Sequence, residues 1–232
     1  LSGAQTAYYD LLPEACYLPD LDGIPLELRR RARMMIVSYP AIRLAVAPKA
    51  FYEKLAAFGR DNDILIVHDN AYSEILFDGA EGISFLSVPG AKEVGVEFNS
   101  LSKTYNLTGL RISFLLGNAE LIHRFRALRS QIDYGTCRLV QKAAIAALDG
   151  PQDGVIEQRA EYQRRRDALC GGLRQRRHSP YVPGEIAVIV HQRLLKLLDV
   201  VFVNATRRCI LAGGNSCGRA YGLPQGRAGG HH

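Results

Sequence analysis

The sequence predicts an α/β protein in which helices flank a mainly parallel sheet. Short apolar runs recur at Met34-Met-Ile-Val-Ser-Tyr-Pro40, Ile64-Leu-Ile-Val-His-Asp-Asn70, Glu93 to Asn99 and Arg111 to Gly117. Near-continuous apolar runs of this length read as buried strands. Between the first two lies Pro48 to Asn62, where Phe51, Leu55 and Phe58 recur at helical spacing. Strands that alternate with helices argue for an α/β domain with a mainly parallel sheet.

The elements follow in order. Pro40 closes the first strand, and Pro48 suits the first turn of the helix after it. From Asn118 the pattern becomes helical, with helices predicted at Ala119 to Ile132 and Thr136 to Leu148. Gly150-Pro151 breaks the run. Val155 to Arg177 then reads as one long charged helix, with Glu157, Arg159, Glu161 and Arg164 to Arg166 on a solvated face. After His178 Gly and Arg are scattered without period, apart from Ile186 to Val190 and Leu194 to Val203, and Gly229-Gly-His-His232 reads as a tail. These shifts divide the chain at 1–150, 151–177 and 178–232.

Bulk properties exclude several classes. Of the 232 residues, 47% are hydrophobic and 22% charged, the balance of a soluble globular protein. No apolar run approaches the roughly 20 residues of a membrane helix, and the first residues show no secretory leader, so no membrane role is expected. The five cysteines (Cys16, Cys137, Cys170, Cys209 and Cys217) are odd in number and contain no C-x-x-C pair. A disulfide framework or zinc ribbon is therefore not expected, no metal is expected, and a reducing cytoplasm is the natural setting. The net charge of +6 raises nucleic-acid binding. From His178 onward there are six Lys or Arg and two acids, so +4 of the +6 falls where the sequence is least regular. No nucleic-acid partner is expected.

The chemistry concentrates in Asn99-Ser-Leu-Ser-Lys-Thr-Tyr-Asn-Leu-Thr-Gly-Leu-Arg111. A lysine in a loop says nothing alone. Here Ser100 stands three residues before Lys103, Ser102 immediately before it, and Arg111 eight after it. This pattern resembles the lysine motif of class I and II aminotransferases, the aspartate aminotransferase-like, fold type I enzymes that use pyridoxal 5'-phosphate. The resemblance implies that Lys103 is catalytic and carries the cofactor as a Schiff base. A lysine does so when burial and nearby cations lower its pKa. Ser100, Ser102 and Arg111 would supply hydroxyls and a cation to the phosphate.

A second stretch fits the same family. Asp69 closes an apolar strand, where open α/β sheets place their ligands. Taken alone it is better read as a turn or cap residue. The resemblance makes it the partner of the cofactor's ring nitrogen, which keeps the ring an electron sink, and makes Tyr72 the hydrogen-bond partner of the ring's phenolic oxygen. His68 is expected to be a packed or supporting residue. Tyr17-Leu-Pro-Asp-Leu-Asp-Gly-Ile-Pro25 and Tyr162-Gln-Arg-Arg-Arg-Asp167 also resemble family segments, and the nearest branch is the bacterial LL-diaminopimelate aminotransferase-like one. The likeness covers roughly residues 5 to 177.

The resemblance implies that 1–150 belongs to the cofactor-binding large domain, that 151–177 is the connecting helix, and that 178–232 is a degraded remnant of the small C-terminal domain. It implies amino-group transfer between an amino acid and a 2-oxo acid, in a homodimer. It also exposes departures. The family's phosphate loop and stacking aromatic are expected upstream of Leu1, and the arginine for the substrate carboxylate is not placed, since Arg219 and Arg227 lie in unmatched text. Between Pro40 and Ala45 the family has Asn-Pro-Thr-Gly, whereas this chain has Ala41-Ile-Arg-Leu44, which reads as a frameshifted version of it. A non-catalytic fragment or pseudoenzyme, or a lyase on the same fold, therefore stays open beside the transferase.

Overall fold

The computed structural model describes residues 3–40 and 45–175. The segment Ala41 to Leu44 and everything after Gln175, including Arg219, Arg227, the two strand-like stretches and the terminal His pair, lie outside the described residues.

A short helix α1 (Leu26–Arg31) leads into strand β1 (Met34–Ser38), then helix α2 (Lys49–Asp61) and strand β2 (Leu65–Asp69). Helix α3 (Ala91–Val94) precedes strand β3 (Gly95–Ser100). Helix α4 (Leu101–Thr104) follows it directly and leads to strand β4 (Ser113–Gly117). Helices α5 (Ala119–Arg129), α6 (Arg138–Asp149) and α7 (Asp153–Gln175) complete the described chain. All four anticipated strands and all four anticipated helices are present. Helix α1 was not anticipated, although Glu27 in its first turn and Arg29 to Arg31 in its last suit a helix dipole.

Among the described residues the sheet runs β1-β2-β3-β4. The first three strands are parallel, with Ser38 beside Asp69 and Asp69 beside Phe98, so their C-terminal ends share one edge. Strand β4 returns antiparallel to β3, pairing Ser100 with Ser113. The sheet is thus mixed at one edge. The chain passes through α4 and the turn at Thr108–Leu110 and comes back along the edge of β3.

Side chains alternate between the two faces of a strand. One face carries Met35, Val37, Ile66, His68 and Glu97, all buried. The apolar residues on this face pack into a core with Tyr52 and Leu55 of α2 and with Phe85. Leu55 is 0% exposed. Gly95 opens β3 because a Cβ there would lie 2.7 Å from the Ile66 carbonyl oxygen and 2.6 Å from the Phe85 ring. The opposite face carries Ile36, Asp69 and Phe98 and is only half buried. Leu128, Ile132, Leu139 and Ile145 on and around α5 and α6 are exposed.

Helix α7 corrects one expectation. Its charged face is not wholly solvated. Arg166 reaches back to the segment after β2, with both terminal nitrogens on Asp78 at 2.5 and 2.7 Å, and stacks 5.0 Å over Phe77. Its side chain is only 18% exposed. The long arginine stem lets a residue on a polar face cover an apolar ring while its head finds a carboxylate. Arg164 and Arg165 do stay on the surface, paired with Glu161.

Candidate cofactor site at the C-terminal edge of the sheet

The C-terminal ends of three parallel strands gather the predicted residues on one edge. Asp69 ends β2, and its backbone carbonyl accepts a hydrogen bond from Ser38 Oγ of β1 at 3.1 Å. The next amide, Asn70 N, donates to the Phe98 carbonyl of β3 at 2.8 Å. The strand end is therefore held from both sides. Burial raises the Asp69 carboxyl above the ordinary aspartate range, while the Ala71 amide and the nearby His68 offset part of the shift. A half-buried carboxylate held this way suits a cationic partner.

Lys103 sits in α4, one turn past β3. Ser100 caps that turn, accepting from Ser102 N at 3.2 Å. This bond uses an acceptor lone pair of the hydroxyl and leaves its proton for another partner. The Ser102 carbonyl accepts from Thr108 Oγ1 at 3.0 Å, which folds the following loop back onto the turn. Arg111 closes that loop in the left-handed region, at φ 52°, and donates to the Thr108 carbonyl at 3.0 Å. Partial burial, and then the charge of Arg111, lower the Lys103 ammonium below the ordinary lysine range. Lys103 Nζ lies 5.5 Å from the centre of the Tyr72 ring. Lys103, Tyr72 and Arg111 are thus brought together, with Asp69 three residues before Tyr72 and Ser100 at the cap of the lysine's own turn.

Two features were not legible beforehand. Helix α7 and the residue before it brace the lysine turn from behind: Gln158 Nε2 donates to the Lys103 carbonyl at 2.7 Å, and Gln152, just ahead of the helix, accepts from the Tyr105 hydroxyl at 2.9 Å. Behind Asp69, on the other face of the sheet, lies a buried polar cluster centred on Glu97. Its carboxylate accepts from His68 Nδ1 at 2.9 Å, Asn70 Nδ2 at 2.9 Å, Ser84 Oγ at 2.8 Å and Phe85 N at 3.0 Å. Burial alone would raise the Glu97 carboxyl, but the bonds from His68, Asn70 and Ser84 outweigh it and hold it below the ordinary glutamate range. His68 is 0% exposed, the supporting residue the sequence suggested. No helix among the described residues is long and apolar enough to cross a membrane.

The described residues form a four-stranded mixed sheet flanked by helices, the architecture of the fold type I aminotransferases that this chain resembles in structure. The sequence pattern described as "Aminotransferase class I and II" matches residues 1–219. The chain belongs to this family. The LL-diaminopimelate aminotransferase of Syntrophobacter fumaroxidans is 44% identical over 183 residues, which are 78% of this chain and 47% of that protein. That of Desulforudis audaxviator is 51% identical over 158 residues, 68% of this chain and 40% of its own length. The solved structure of an aminotransferase from Staphylococcus aureus superposes with a TM-score of 0.71 at 30% identity, covering 76% of this chain and 46% of that one. The chain spans about half the length of the curated relatives it matches.

Proposed function

We propose that this chain holds pyridoxal 5'-phosphate on Lys103 and serves amino-group transfer between an amino acid and a 2-oxo acid. The observation that carries the reading is the lysine turn itself: a half-buried amine of lowered pKa, beside Arg111 and against the Tyr72 ring, at the strand edge that ends in Asp69. The family is pyridoxal-phosphate-dependent, and the residues present fit that group. When bound, it supplies an aldehyde for imine linkage to an amine and a pyridine ring that stores electron pairs.

The protein's residues do the rest. Lys103, neutral in a larger fraction than an exposed lysine, supplies the amine and, once released by substrate, carries the substrate's α-proton as general base and acid. Asp69 would hold a proton on the ring nitrogen, and the Tyr72 hydroxyl would donate to the ring's phenolic oxygen. Ser100, Ser102 and Arg111 would hold the phosphate by hydroxyl donors and a planar cation. Residues 1–150 form the cofactor-binding domain and 151–177 the connecting helix. The protein works in the cytoplasm as a homodimer. The relatives named for LL-diaminopimelate make it the first amino donor to assay.

The test is to add pyridoxal 5'-phosphate to the full chain, reduce with borohydride and map the label. Label on Lys103, lost in Lys103→Ala, is expected, and label on another lysine with Lys103→Ala unaffected overturns the assignment. One sequence feature favours a second reading, cofactor binding without turnover: Ala41-Ile-Arg-Leu44 stands where the family has Asn-Pro-Thr-Gly. An amino-transfer assay with LL-diaminopimelate and 2-oxoglutarate separates the two.

A further inference from the structure

The deepest polar group in the described chain is one the chemistry above does not use. His68 and Asn70 flank Asp69 on either side and project to the face of the sheet opposite to it. Glu97 is the register partner of His68 on β3. Its two carboxylate oxygens divide between the flanking residues: Oε2 takes His68 Nδ1 and Oε1 takes Asn70 Nδ2, each at 2.9 Å. A single carboxylate therefore bridges the two residues on either side of Asp69. The Ser84 hydroxyl and the Phe85 amide also donate to Oε2, so every neighbour of this carboxylate is a donor. The far side of the His68 ring is held as well. Nε2 lies 2.7 Å from the Tyr39 carbonyl, which can only accept, and 3.3 Å from the Tyr52 hydroxyl. The ring is thus held from both sides, by the Glu97 carboxylate at Nδ1 and the Tyr39 carbonyl at Nε2.

We propose that the buried Glu97–His68 pair is a positioning device that aims the Asp69 carboxylate at the ring nitrogen of the cofactor, resting on the cofactor reading above. A strand end is free to fray where its ladder stops, and Asp69 is the last residue of β2. Fixing both neighbours to one immobile carboxylate removes that freedom without touching the Asp69 side chain, which stays on the opposite face. A core of this kind could have been built from apolar residues at less desolvation cost. Here a hydrogen-bonded polar cluster of His68, Asn70, Ser84 and Glu97 lies directly behind the acid the site depends on.

The test uses the full chain with ring-15N-labelled pyridoxal 5'-phosphate, comparing the parent, Asp69→Asn, Glu97→Gln and Ser84→Ala. The 15N shift reports whether the ring nitrogen is protonated, which a merely structural role would not move. The parent is expected to show a protonated ring and Asp69→Asn an unprotonated one. Glu97→Gln should move toward Asp69→Asn, with about tenfold weaker cofactor binding for one charged hydrogen bond lost. Ser84→Ala, which removes one donor and leaves the pair, should give a smaller change in the same direction, and it decides the matter if Glu97→Gln does not fold. Variants that bind the label on Lys103 with the parent's 15N shift overturn the positioning role alone. A parent that takes no label on Lys103 overturns the cofactor reading, and the proposal with it.

Discussion

Asp69→Asn should make the cofactor-free chain more stable. The Asp69 carboxylate is half buried, takes the Ala71 amide as a backbone donor, and its pKa is raised because burial disfavours its charge. An amide of the same shape keeps an oxygen for the Ala71 amide and removes the charge. A gain of about 1 kcal/mol is expected, the scale of relief when a functional residue strained for its task is replaced. In a chain of this size that is a rise of roughly 2–4 °C in Tm. The pH dependence fixes the sign. A carboxyl raised in the folded state binds its proton more readily folded than unfolded, so the penalty is full above the folded pKa. It disappears as pH falls through that value toward the ordinary aspartate range. The variant's advantage should therefore be largest at neutral pH and shrink in acid. Glu97 and Asp78, lowered in the fold, lose stability on acidification in both proteins and cancel in the difference. Pyridoxal 5'-phosphate should reverse the ranking. At a hundred times its Kd a ligand adds about 2.7 kcal/mol, and with tenfold weaker binding about 1.4 kcal/mol at the same concentration. The parent's extra ~1.3 kcal/mol is enough to cancel the variant's lead. Denaturant titrations at several pH values, with and without cofactor, measure all of this. A cofactor-free variant less stable than the parent at pH 7, or a difference flat across the acid range, refutes the reasoning.

Three further outcomes are expected. Leu55→Ala, at a 0% exposed position in the core, should cost about 2–5 kcal/mol in urea unfolding. Arg166→Leu should cost about 1–2 kcal/mol, from a partly screened bidentate pair with Asp78 and the stacking on Phe77. A double-mutant cycle with Asp78→Asn should recover only the salt-sensitive part of that cost. Gln158→Ala removes the donor to the Lys103 carbonyl and should cost about 1 kcal/mol, with faster amide exchange confined to the lysine turn.

Strand and helix positions were legible because each is set by local period and punctuation. Pro40 and Pro48 stop one element and start the next, and Gly150-Pro151 separates α6 from α7. The antiparallel return of β4 was not legible, because an apolar run looks the same in either direction and the connection from Ser100 to Ser113 is long enough for either. Arg166 was misread for a related reason. Its place on a charged helix face is a local property, whereas its burial depends on Phe77 and Asp78, which are far away in the chain and invisible to helical spacing.

The site shows the same division more sharply. Lys103, Ser100 and Arg111 lie within one loop, so their spacing carries the geometry, and the capped turn follows from Ser100 as N-cap. Asp69 and Tyr72 are legible as a strand end and the turn after it. Glu97 is not. Its sequence neighbours are apolar, and a lone acid in an apolar strand looks like an edge residue facing water. Only the parallel register that sets His68 beside Glu97 turns it into the acceptor for both residues flanking Asp69. A signal was present nonetheless. His68 and Asn70 alternate with Asp69 at the end of a buried strand, and two polar side chains turned into a core require a common partner there. The charged residue on the adjacent strand, two positions before the Asn99 that opens the lysine motif, is where that partner had to be.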